Sequence, residues 1–252
     1  MLELDGIAKR FGGLQVLDGV SLTVAAGQVF CIIGPNGSGK TTLFNVISGL
    51  LRADAGCILF KGREITNLPP HEITVRGISR SFQSTRLFAG LTLLENLEIP
   101  QYAGKPLDLL GAVARLPRDR RQRADIRRRA EALLGEIGGG RFYRRRHDYP
   151  HSCSLGEQRV IELARILLAE PELILLDEPT QGLNPQWIEE TMAMLDVIKR
   201  GGKTIVLIEH KMAVVMSIAD RVAVLVNGSK IAEDTPAAVR RDPAVISAYL
   251  GT

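Results

Sequence analysis

A glycine-rich loop near the N-terminus constrains the fold of this chain more than any other feature. Residues Gly34–Thr41 read Gly-Pro-Asn-Gly-Ser-Gly-Lys-Thr and fit the pattern G-x-x-x-x-G-K-[ST] at every fixed position. The apolar run Val29–Ile33 precedes the loop, and an amphipathic segment that ends near Gly49 follows it. Glycines let the backbone wrap closely around phosphate oxygens, so that N–H groups and the next helix N-terminus face the negative charge. We therefore predict a phosphate-binding loop between a strand and a helix.

The loop pattern assigns roles to individual side chains. Lys40 is expected to reach the β- and γ-phosphates of a nucleotide, and the Thr41 hydroxyl is expected to ligate Mg²⁺. The nucleotide contacts predicted for this region are Gly34, Asn36, Gly37, Ser38, Gly39, Lys40, Thr41 and Thr42. A flexible glycine turn is the alternative interpretation, and four fixed residues in the required context disfavour it.

Two adjacent carboxylates, Asp177 and Glu178, end a second apolar run, Leu173–Leu176. Charge at the end of a buried strand is costly unless a cation or hydrogen bonds compensate it. Alone, such a pair is more often a helix N-cap. Together with the phosphate-binding loop, it predicts that Asp177 holds Mg²⁺ through water and that Glu178 orients and deprotonates the water that attacks the γ-phosphate.

The order of apolar segments predicts the fold class. Strand-like segments are Leu2–Ile7, Val20–Val24, Val29–Ile33, Cys57–Phe60, Ile78–Phe82, Leu173–Leu176, Thr204–Ile208 and Val222–Val226, and helical patterns cover 156–169 and 185–200. We predict an α/β protein, a P-loop NTPase core with a mostly parallel sheet and an N-terminal antiparallel β subdomain. Residues 1–252 are expected to form one domain, with the core in 1–90 and 170–252 and a helical subdomain at about 91–169.

Composition excludes some classes and locates the charge. Apolar residues make up 45% of the chain and charged residues 24%, which favours a packed protein over extended disorder. Cys31, Cys57 and Cys153 lack metal-ligand spacing and predict neither a disulfide framework nor a zinc site. Residues 115–146 contain twelve arginines and four acidic residues, a net +8, whereas the whole chain carries +4. The basic charge therefore belongs to one segment of a mildly acidic body.

Short motifs distinguish the other classes of P-loop protein. GTPases carry Asn-Lys-x-Asp or Thr-Lys-x-Asp for guanine, and no asparagine or threonine in this chain precedes a lysine. The sequence therefore provides no support for guanine. A small-molecule kinase stays open at this point, because residues 115–146 would supply the arginine-rich lid of such an enzyme.

The stretch that decides between these classes is 153–158, which reads Cys-Ser-Leu-Gly-Glu-Gln before a predicted helix. It resembles the signature Leu-Ser-Gly-Gly-Gln of the ATP-binding cassette (ABC) family. Ser154 and Gly156 match that signature, whereas Cys153, Leu155 and Glu157 depart from it. The resemblance implies that Ser154, Gly156 and Glu157 contact nucleotide across a dimer interface, where the serine hydroxyl and the helix N-terminus grip the γ-phosphate. For this stretch alone, an ordinary helix cap is the alternative.

Four further positions carry the same resemblance. Gln83 stands at the family's Q-loop, which implies contact with Mg²⁺ or the attacking water, and Gln181–Asn184 stands at the D-loop, a dimer contact. His210 matches the switch histidine, which hydrogen-bonds the γ-phosphate. Phe11 stands where the family stacks an aromatic ring on adenine, although a core phenylalanine is the alternative. The implied catalytic residues are Lys40, Gln83, Glu178 and His210, and the implied metal ligands are Thr41, Gln83 and Asp177.

Over essentially the whole chain, the sequence is most similar to ATP-binding subunits of bacterial branched-chain (hydrophobic) amino acid importers. Stretches that carry this resemblance include Gly77–Gln83, Leu91–Asn96, Ile208–Met212 and Asp242–Ile246. The resemblance implies an ATPase that uses ATP and Mg²⁺, pairs with a second ATPase subunit, identical or related, and docks under separate transmembrane permease subunits. A periplasmic binding protein would act indirectly. The implied location is peripheral, on the cytoplasmic face of the inner membrane, and no segment of the chain is predicted to cross it.

Other functions stay open from the sequence. Related cassette ATPases serve other solutes, including urea and lipopolysaccharide. A nucleic-acid ATPase would depend on the arginine segment alone, and nucleic-acid members of the family carry two cassettes or long coiled coils, which 252 residues do not accommodate. We therefore expect no nucleic-acid partner.

Overall fold

The computed structural model describes residues 1–81, 86–102 and 117–250, without the side chains of residues 101, 102, 117–120, 122, 249 and 250. The chain divides into two compact units. The core unit comprises Met1–Gln83, Glu172–Gln181 and Leu195–Thr252, and the helical unit comprises Ser84–Pro171 and Gly182–Met194. Within the described ranges, no helix combines the length and the apolar character needed to cross a membrane.

The core unit contains two sheets. Its strands are β1 (Leu2–Phe11), β2 (Leu14–Val24), β3 (Val29–Ile33), β4 (Ala55–Phe60), β5 (Arg63–Glu64), β6 (Ile78–Arg80), β7 (Leu173–Asp177), β8 (Thr204–Ile208), β9 (Arg221–Val226) and β10 (Ser229–Asp234). The first sheet has the order β2-β1-β4-β5 with antiparallel neighbours. In β1, Leu2, Leu4 and Ile7 are buried. Leu2 and Leu4 show the two-residue period of a strand with one buried face. The predicted N-terminal antiparallel subdomain is confirmed.

The second sheet has the order β10-β9-β3-β8-β7-β6. Within it, β9, β3, β8, β7 and β6 pair in parallel, and β10 pairs antiparallel with β9 at one edge. Every residue of β3, β7 and β8 is buried, as expected for strands that are covered on both faces. The mostly parallel sheet is therefore confirmed. The sequence did not predict β10, because its residues are half-buried or exposed and largely polar.

The helices follow the predicted order, with additions. They are α1 (Lys40–Ile47), α2 (Pro70–Val75), α3 (Leu93–Glu98), α4 (Pro117–Glu136), α5 (Arg141–Arg144), α6 (Leu155–Leu168), α7 (Pro185–Arg200), α8 (Met212–Ile218), α9 (Pro236–Val239) and α10 (Pro243–Leu250). Short 3₁₀ turns cover Ile99–Tyr102, Ile137–Gly140 and Pro150–Ser152. The sequence predicted α7 with its observed bounds, whereas it missed short helices such as α2 and α9, which are too brief to show a helical period.

The core of the helical unit forms where α3, α4 and α6 pack together. Ile126, Ala130 and Leu134 lie four residues apart on α4 and are almost fully buried, which is the spacing of one helix face. The predicted break at Gly138–Gly140 is confirmed: all three glycines have positive φ, between 58° and 75°, and end α4. L-residues with side chains adopt this backbone region only at a cost.

The arginine segment makes local ion pairs where it is described. On α4, Arg127 lies 3.2 Å from Glu131, and Arg128 lies 2.9 Å from Asp125. Beyond α4, Arg145 pairs with Asp148 at 2.8 Å. Carboxylates therefore offset part of the charge that the sequence shows as a cluster.

The Asn96 side chain on α3 forms hydrogen bonds with the backbone of the loop that precedes this helix. Its side chain is fully buried; Oδ1 accepts the Phe88 N–H at 2.8 Å, and Nδ2 lies 2.9–3.2 Å from the carbonyl oxygens of Phe88, Leu91 and Thr92. One amide therefore satisfies backbone groups along the whole Phe88–Thr92 turn. Because such groups are costly when buried without partners, Asn96 contributes to the order of this loop.

Asn96→Ala should lower the free energy of unfolding by about 2–3 kcal/mol, because it leaves buried backbone groups without partners. Urea denaturation measures this change. The matched control is Gln186→Ala, which removes an exposed amide from α7 and should change stability by less than about 0.5 kcal/mol. Equal losses in both variants would contradict this role of Asn96.

Candidate functional site

The glycine-rich loop connects β3 to α1 in a conformation that requires its glycines. Gly34, Gly37 and Gly39 have φ values of 151°, 78° and 99°. A Cβ on Gly34 would lie 2.0 Å from the carbonyl oxygen of Leu225, and a Cβ on Gly39 would lie 2.7 Å from that of Val16. Both space and backbone conformation therefore select glycine, as the pattern predicted.

Lys40 lies inside this loop. Its Nζ donates hydrogen bonds to the carbonyl oxygens of Gly34 at 2.9 Å and Pro35 at 2.8 Å. Burial lowers the pKa of the Lys40 ammonium, and the carboxylates of Glu178 and Asp177 oppose that shift. The two carbonyl acceptors are neutral, so a phosphate group at this loop would supply a counter-charge.

The loop and the start of α1 also offer backbone donors. Asn36 and Gly37 are exposed at the tip of the loop, whereas Ser38 is buried. In the first turn of α1, Thr41 is exposed and Thr42 is half-buried. The first N–H groups of a helix have no partner within the helix, and they suit an anion.

Asp177 is the last residue of β7 and is buried beside an arginine. Arg80 Nη2 lies 3.4 Å from its Oδ2, and the Ser81 hydroxyl accepts the Asp177 N–H at 3.2 Å. Burial raises the pKa of Asp177, and the Arg80 guanidinium partly offsets the effect. The sequence did not predict Arg80 as a neighbour of Asp177, because the two residues are 97 positions apart and meet only through the pairing of β6 with β7.

Glu178 and His210 are in direct contact. Glu178 Oε1 lies 2.6 Å from His210 Nε2, and the Glu178 N–H donates to the Ile208 carbonyl oxygen at 3.0 Å. Glu178 also has a φ of 48°, in the left-handed region that residues other than glycine rarely adopt. Such strain persists where the surrounding structure enforces it, often at functional sites. The structure thus brings together the two residues that the sequence placed in separate motifs.

A hydrogen-bonded cluster that the sequence did not predict supports this pair. The buried Glu209 carboxylate accepts hydrogen bonds from the Thr180 hydroxyl and, at 2.8 Å, from the His210 N–H. Lys211 Nζ donates to the Thr180 carbonyl oxygen at 3.1 Å. The turn after β7 is therefore tied to the turn after β8. In the sequence, the one indication of this cluster is that Glu209 lies between the apolar strand β8 and His210.

The 153–158 stretch begins α6 with a capping box. Ser154 Oγ accepts the Glu157 N–H at 3.3 Å, and Glu157 Oε2 accepts the Ser154 N–H at 2.8 Å. The other Glu157 oxygen contacts Arg145 at 2.5 Å. Ser154 is exposed, whereas Gly156 is buried against the ring of Trp187. The helix-cap interpretation therefore describes the local hydrogen bonds, while the Ser154 side chain stays accessible.

The remaining predicted positions have mixed outcomes. Phe11 is 47% exposed at the end of β1, with Lys9 Nζ 5.6 Å from its ring centroid, so the alternative of a core phenylalanine is wrong. Asn184 Oδ1 accepts a hydrogen bond from the backbone N–H of Trp187 at 3.0 Å and so caps α7. Gln83 lies outside the residues that the structure describes, so its predicted role stays a prediction.

A phosphate-binding loop and an acidic strand end in one mostly parallel sheet define a P-loop nucleotide-hydrolysing protein. A family model described as ABC transporter matches residues 17–181, and one described as branched-chain amino acid ATP-binding cassette transporter matches residues 229–252. The chain belongs to the ABC transporter family. The ABC ATPase identification made from the sequence is thereby confirmed.

Individual members of the family are similar to this chain over nearly their full lengths. The chain is 38% identical to the high-affinity branched-chain amino acid transport ATP-binding protein BraF of Pseudomonas aeruginosa, covering 100% of this chain and 98% of that protein. It is 36% identical to LivG of Escherichia coli K12, with the same coverage. The ADP conformation of MJ1267, an ATP-binding cassette of an ABC transporter, has a TM-score of 0.84 at 32% identity, and the match covers 100% and 99% of the two chains.

The buried Asp177 carboxylate should reduce stability at neutral pH. Because its folded pKa is raised, the acid form is favoured in the fold, and the stability that this form contributes is lost as the pH rises through that pKa. Asp177→Asn should therefore raise the Tm at pH 8, and the gain should shrink as the pH falls towards about 4, near the ordinary pKa of aspartate.

Thermal melts from about pH 4.5 to 8 measure this effect, a range that lies above the ordinary aspartate pKa. The control is Asp196→Asn on α7, where the side chain is 54% exposed. A lower Tm for Asp177→Asn at pH 8 would contradict the prediction.

Proposed function

We propose that this chain is the ATP-binding and hydrolysing subunit of an importer that powers uptake of branched-chain or other amino acids through separate permease subunits. Its full-length similarity to BraF and LivG supports the transport assignment. The observation that carries the hydrolytic part is the 2.6 Å contact between Glu178 and His210. Both residues follow strands of the sheet that contains β3, from which the phosphate-binding loop leaves.

The nucleotide phosphates would bind to the loop after β3. Backbone N–H groups of Gly34–Thr42 would face the phosphate oxygens, and Lys40 would contact the β- and γ-phosphates in place of its present carbonyl acceptors. Phe11, exposed at the end of β1, would stack on the adenine. Asn36 and Ser38 belong to the same loop and complete the proposed contacts.

The residues of the site also fit Mg²⁺. Thr41 and Asp177 offer hydroxyl and carboxylate oxygens, the hard donors that Mg²⁺ takes together with phosphate oxygens and water. Gln83 is the third proposed ligand. When bound, Mg²⁺ would neutralise charge on the phosphates. The raised pKa of Asp177 agrees with a buried carboxylate whose charge a nearby cation would stabilise.

Glu178 would act as the general base. Its carboxylate would orient the attacking water and accept its proton, while His210 would donate a hydrogen bond to the γ-phosphate. Glu209 and Thr180 would hold His210 in place through the hydrogen bonds described above. Gln83 would contact the same water.

The active site would be completed by a second ATPase subunit, identical or related. Ser154, Gly156 and Glu157 would engage the nucleotide held by that subunit, and Gln181–Asn184 would contact the partner. The dimeric structure of MJ0796, described as a bacterial ABC transporter cassette, resembles this chain with a TM-score of 0.76 at 28% identity, covering 94% and 99% of the two chains, and supports such pairing. We propose that residues about 91–169 form the signature subdomain and that 1–90 and 170–252 form the nucleotide-binding core.

The subunit would lie peripherally on the cytoplasmic face of the inner membrane, beneath the permease subunits, and a periplasmic binding protein would deliver the solute. Phe88 is the best-defined candidate for permease contact. It is 50% exposed, Arg165 lies 5.6 Å from its ring centroid, and Asn96 fixes its backbone. An exposed ring on an ordered loop is suited to a protein partner.

Glu178→Gln should lower ATP hydrolysis about 100-fold or more, because the amide cannot accept the proton of the attacking water. ATP should then accumulate on a paired form of the chain. Phosphate release and size-exclusion chromatography with ATP and Mg²⁺ measure the two effects. Glu189→Gln, at an exposed position on α7, is the matched control. Brisk hydrolysis by Glu178→Gln would remove Glu178 as the base and contradict the proposed mechanism.

Phe88→Ala should reduce amino acid uptake and leave ATP hydrolysis by the isolated subunit unchanged, because it removes a partner contact and no nucleotide contact. The measurement is uptake into vesicles that contain the permease subunits, compared with phosphate release by the purified chain. Val75→Ala removes a comparably exposed apolar side chain from α2 and serves as the control. Uptake equal to that of the unmodified chain would exclude Phe88 from the permease contact.

A further inference from the structure

Trp187, the single tryptophan of the chain, lies against the signature turn Ser154–Glu157. A Cβ on Gly156 would be 2.1 Å from Trp187 Cγ and 2.2 Å from Cδ2. Gly156 lies in the first turn of α6 and has no positive φ, so its backbone conformation would accept any residue. The ring of Trp187 therefore explains why a glycine is required at this position.

An arginine also contacts the Trp187 ring. The Arg141 guanidinium carbon lies 4.7 Å from the Trp187 ring centroid and 4.8 Å from that of Phe142, which is fully buried. Both terminal nitrogens of Arg141 bond to the carboxylate of Glu190, three residues after Trp187 on α7. A planar guanidinium that is stacked and paired through two bonds has a fixed orientation. The indole ring thus contacts both Arg141 and Gly156.

The backbone before Trp187 is part of the same arrangement. The backbone N–H of Trp187 donates to Asn184 Oδ1 at 3.0 Å. This bond fixes the segment Gly182–Asn184 to the start of α7. At the other end of that segment, a Cβ on Gly182 would lie 3.5 Å from the Leu155 side chain. The signature turn therefore lies against Trp187, which is bonded to Asn184, and its Leu155 side chain lies close to Gly182.

We propose that Trp187 is a positioning residue that holds the signature turn and the segment Gly182–Asn184 as one element. Movement of one would then move the other, and Ser154 would reach the γ-phosphate of the second subunit's nucleotide in a fixed orientation. Trp187 itself touches no nucleotide in this scheme. The inference rests on the proposed role of Ser154 in a paired ATPase.

The first test is hydrogen–deuterium exchange on the full chain. In Trp187→Ala, amides of the signature turn should exchange about 10-fold faster or more, because the turn loses its packing partner. Trp187→Phe, which keeps a ring on Gly156, should exchange at nearly the parent rate. The matched control is Tyr143→Ala, which removes another ring with an arginine at its face, Arg146 at 4.5 Å. Unchanged exchange at the turn in Trp187→Ala, or an equal increase across α3 and α4, would overturn the proposal.

The second test separates catalysis from binding. Trp187→Ala should lower kcat for ATP hydrolysis about 10-fold, with affinity of the isolated subunit for a fluorescent ATP analogue unchanged, because the loop around Lys40 is untouched. Trp187→Phe should restore kcat.

Parallel losses of nucleotide binding and kcat would indicate a general structural role and overturn the inference. An unchanged kcat together with faster amide exchange at the signature turn would also overturn it. If the unmodified chain does not hydrolyse ATP, the proposed function fails, whereas the exchange experiment still decides whether Trp187 holds the turn.

Discussion

The parallel pairing of β8 with both β3 and β7 is the constraint on which the candidate site depends. Ile208, the last residue of β8, is in register with Ile32 on one side and Asp177 on the other. The segments that leave these strands therefore start from the same edge of one sheet, where α/β proteins commonly bind ligands. The glycine-rich loop, the acidic pair and His210 occupy those segments.

This arrangement concentrates unfavourable features at the site. Lys40 and Asp177 are charged groups in places where burial disfavours their charge, and Glu178 adopts a backbone conformation that costs free energy. The surrounding structure compensates through specific contacts: carbonyl oxygens around Lys40, Arg80 beside Asp177, and His210 beside Glu178. A bound nucleotide and cation would relieve the first two costs, which links stability to ligand binding.

The helical unit uses its charge differently. The net charge of the arginine segment suggests a surface for an anionic partner, yet described arginines form ion pairs with carboxylates nearby. Arg141 contacts Glu190 and two aromatic rings. Arg145, through Glu157, and Arg141, through Glu190, orient side chains at the start of α6 and α7. Within this unit, the ion pairs and ring contacts of the described arginines therefore indicate their role better than the net charge of the segment does.

The sequence by itself predicted the glycine-rich loop, the acidic strand end, the parallel core and the cassette family, because each shows either as a local motif or in the order of motifs and apolar runs along the chain. Short or polar elements such as β5, β10 and α9 show too little periodicity to predict. Only the tertiary structure decided that Glu178 contacts His210, that Thr180 bonds to Glu209 and that Trp187 covers Gly156. These contacts join residues on different elements, so strand register and helix packing fix them, and no local pattern encodes them.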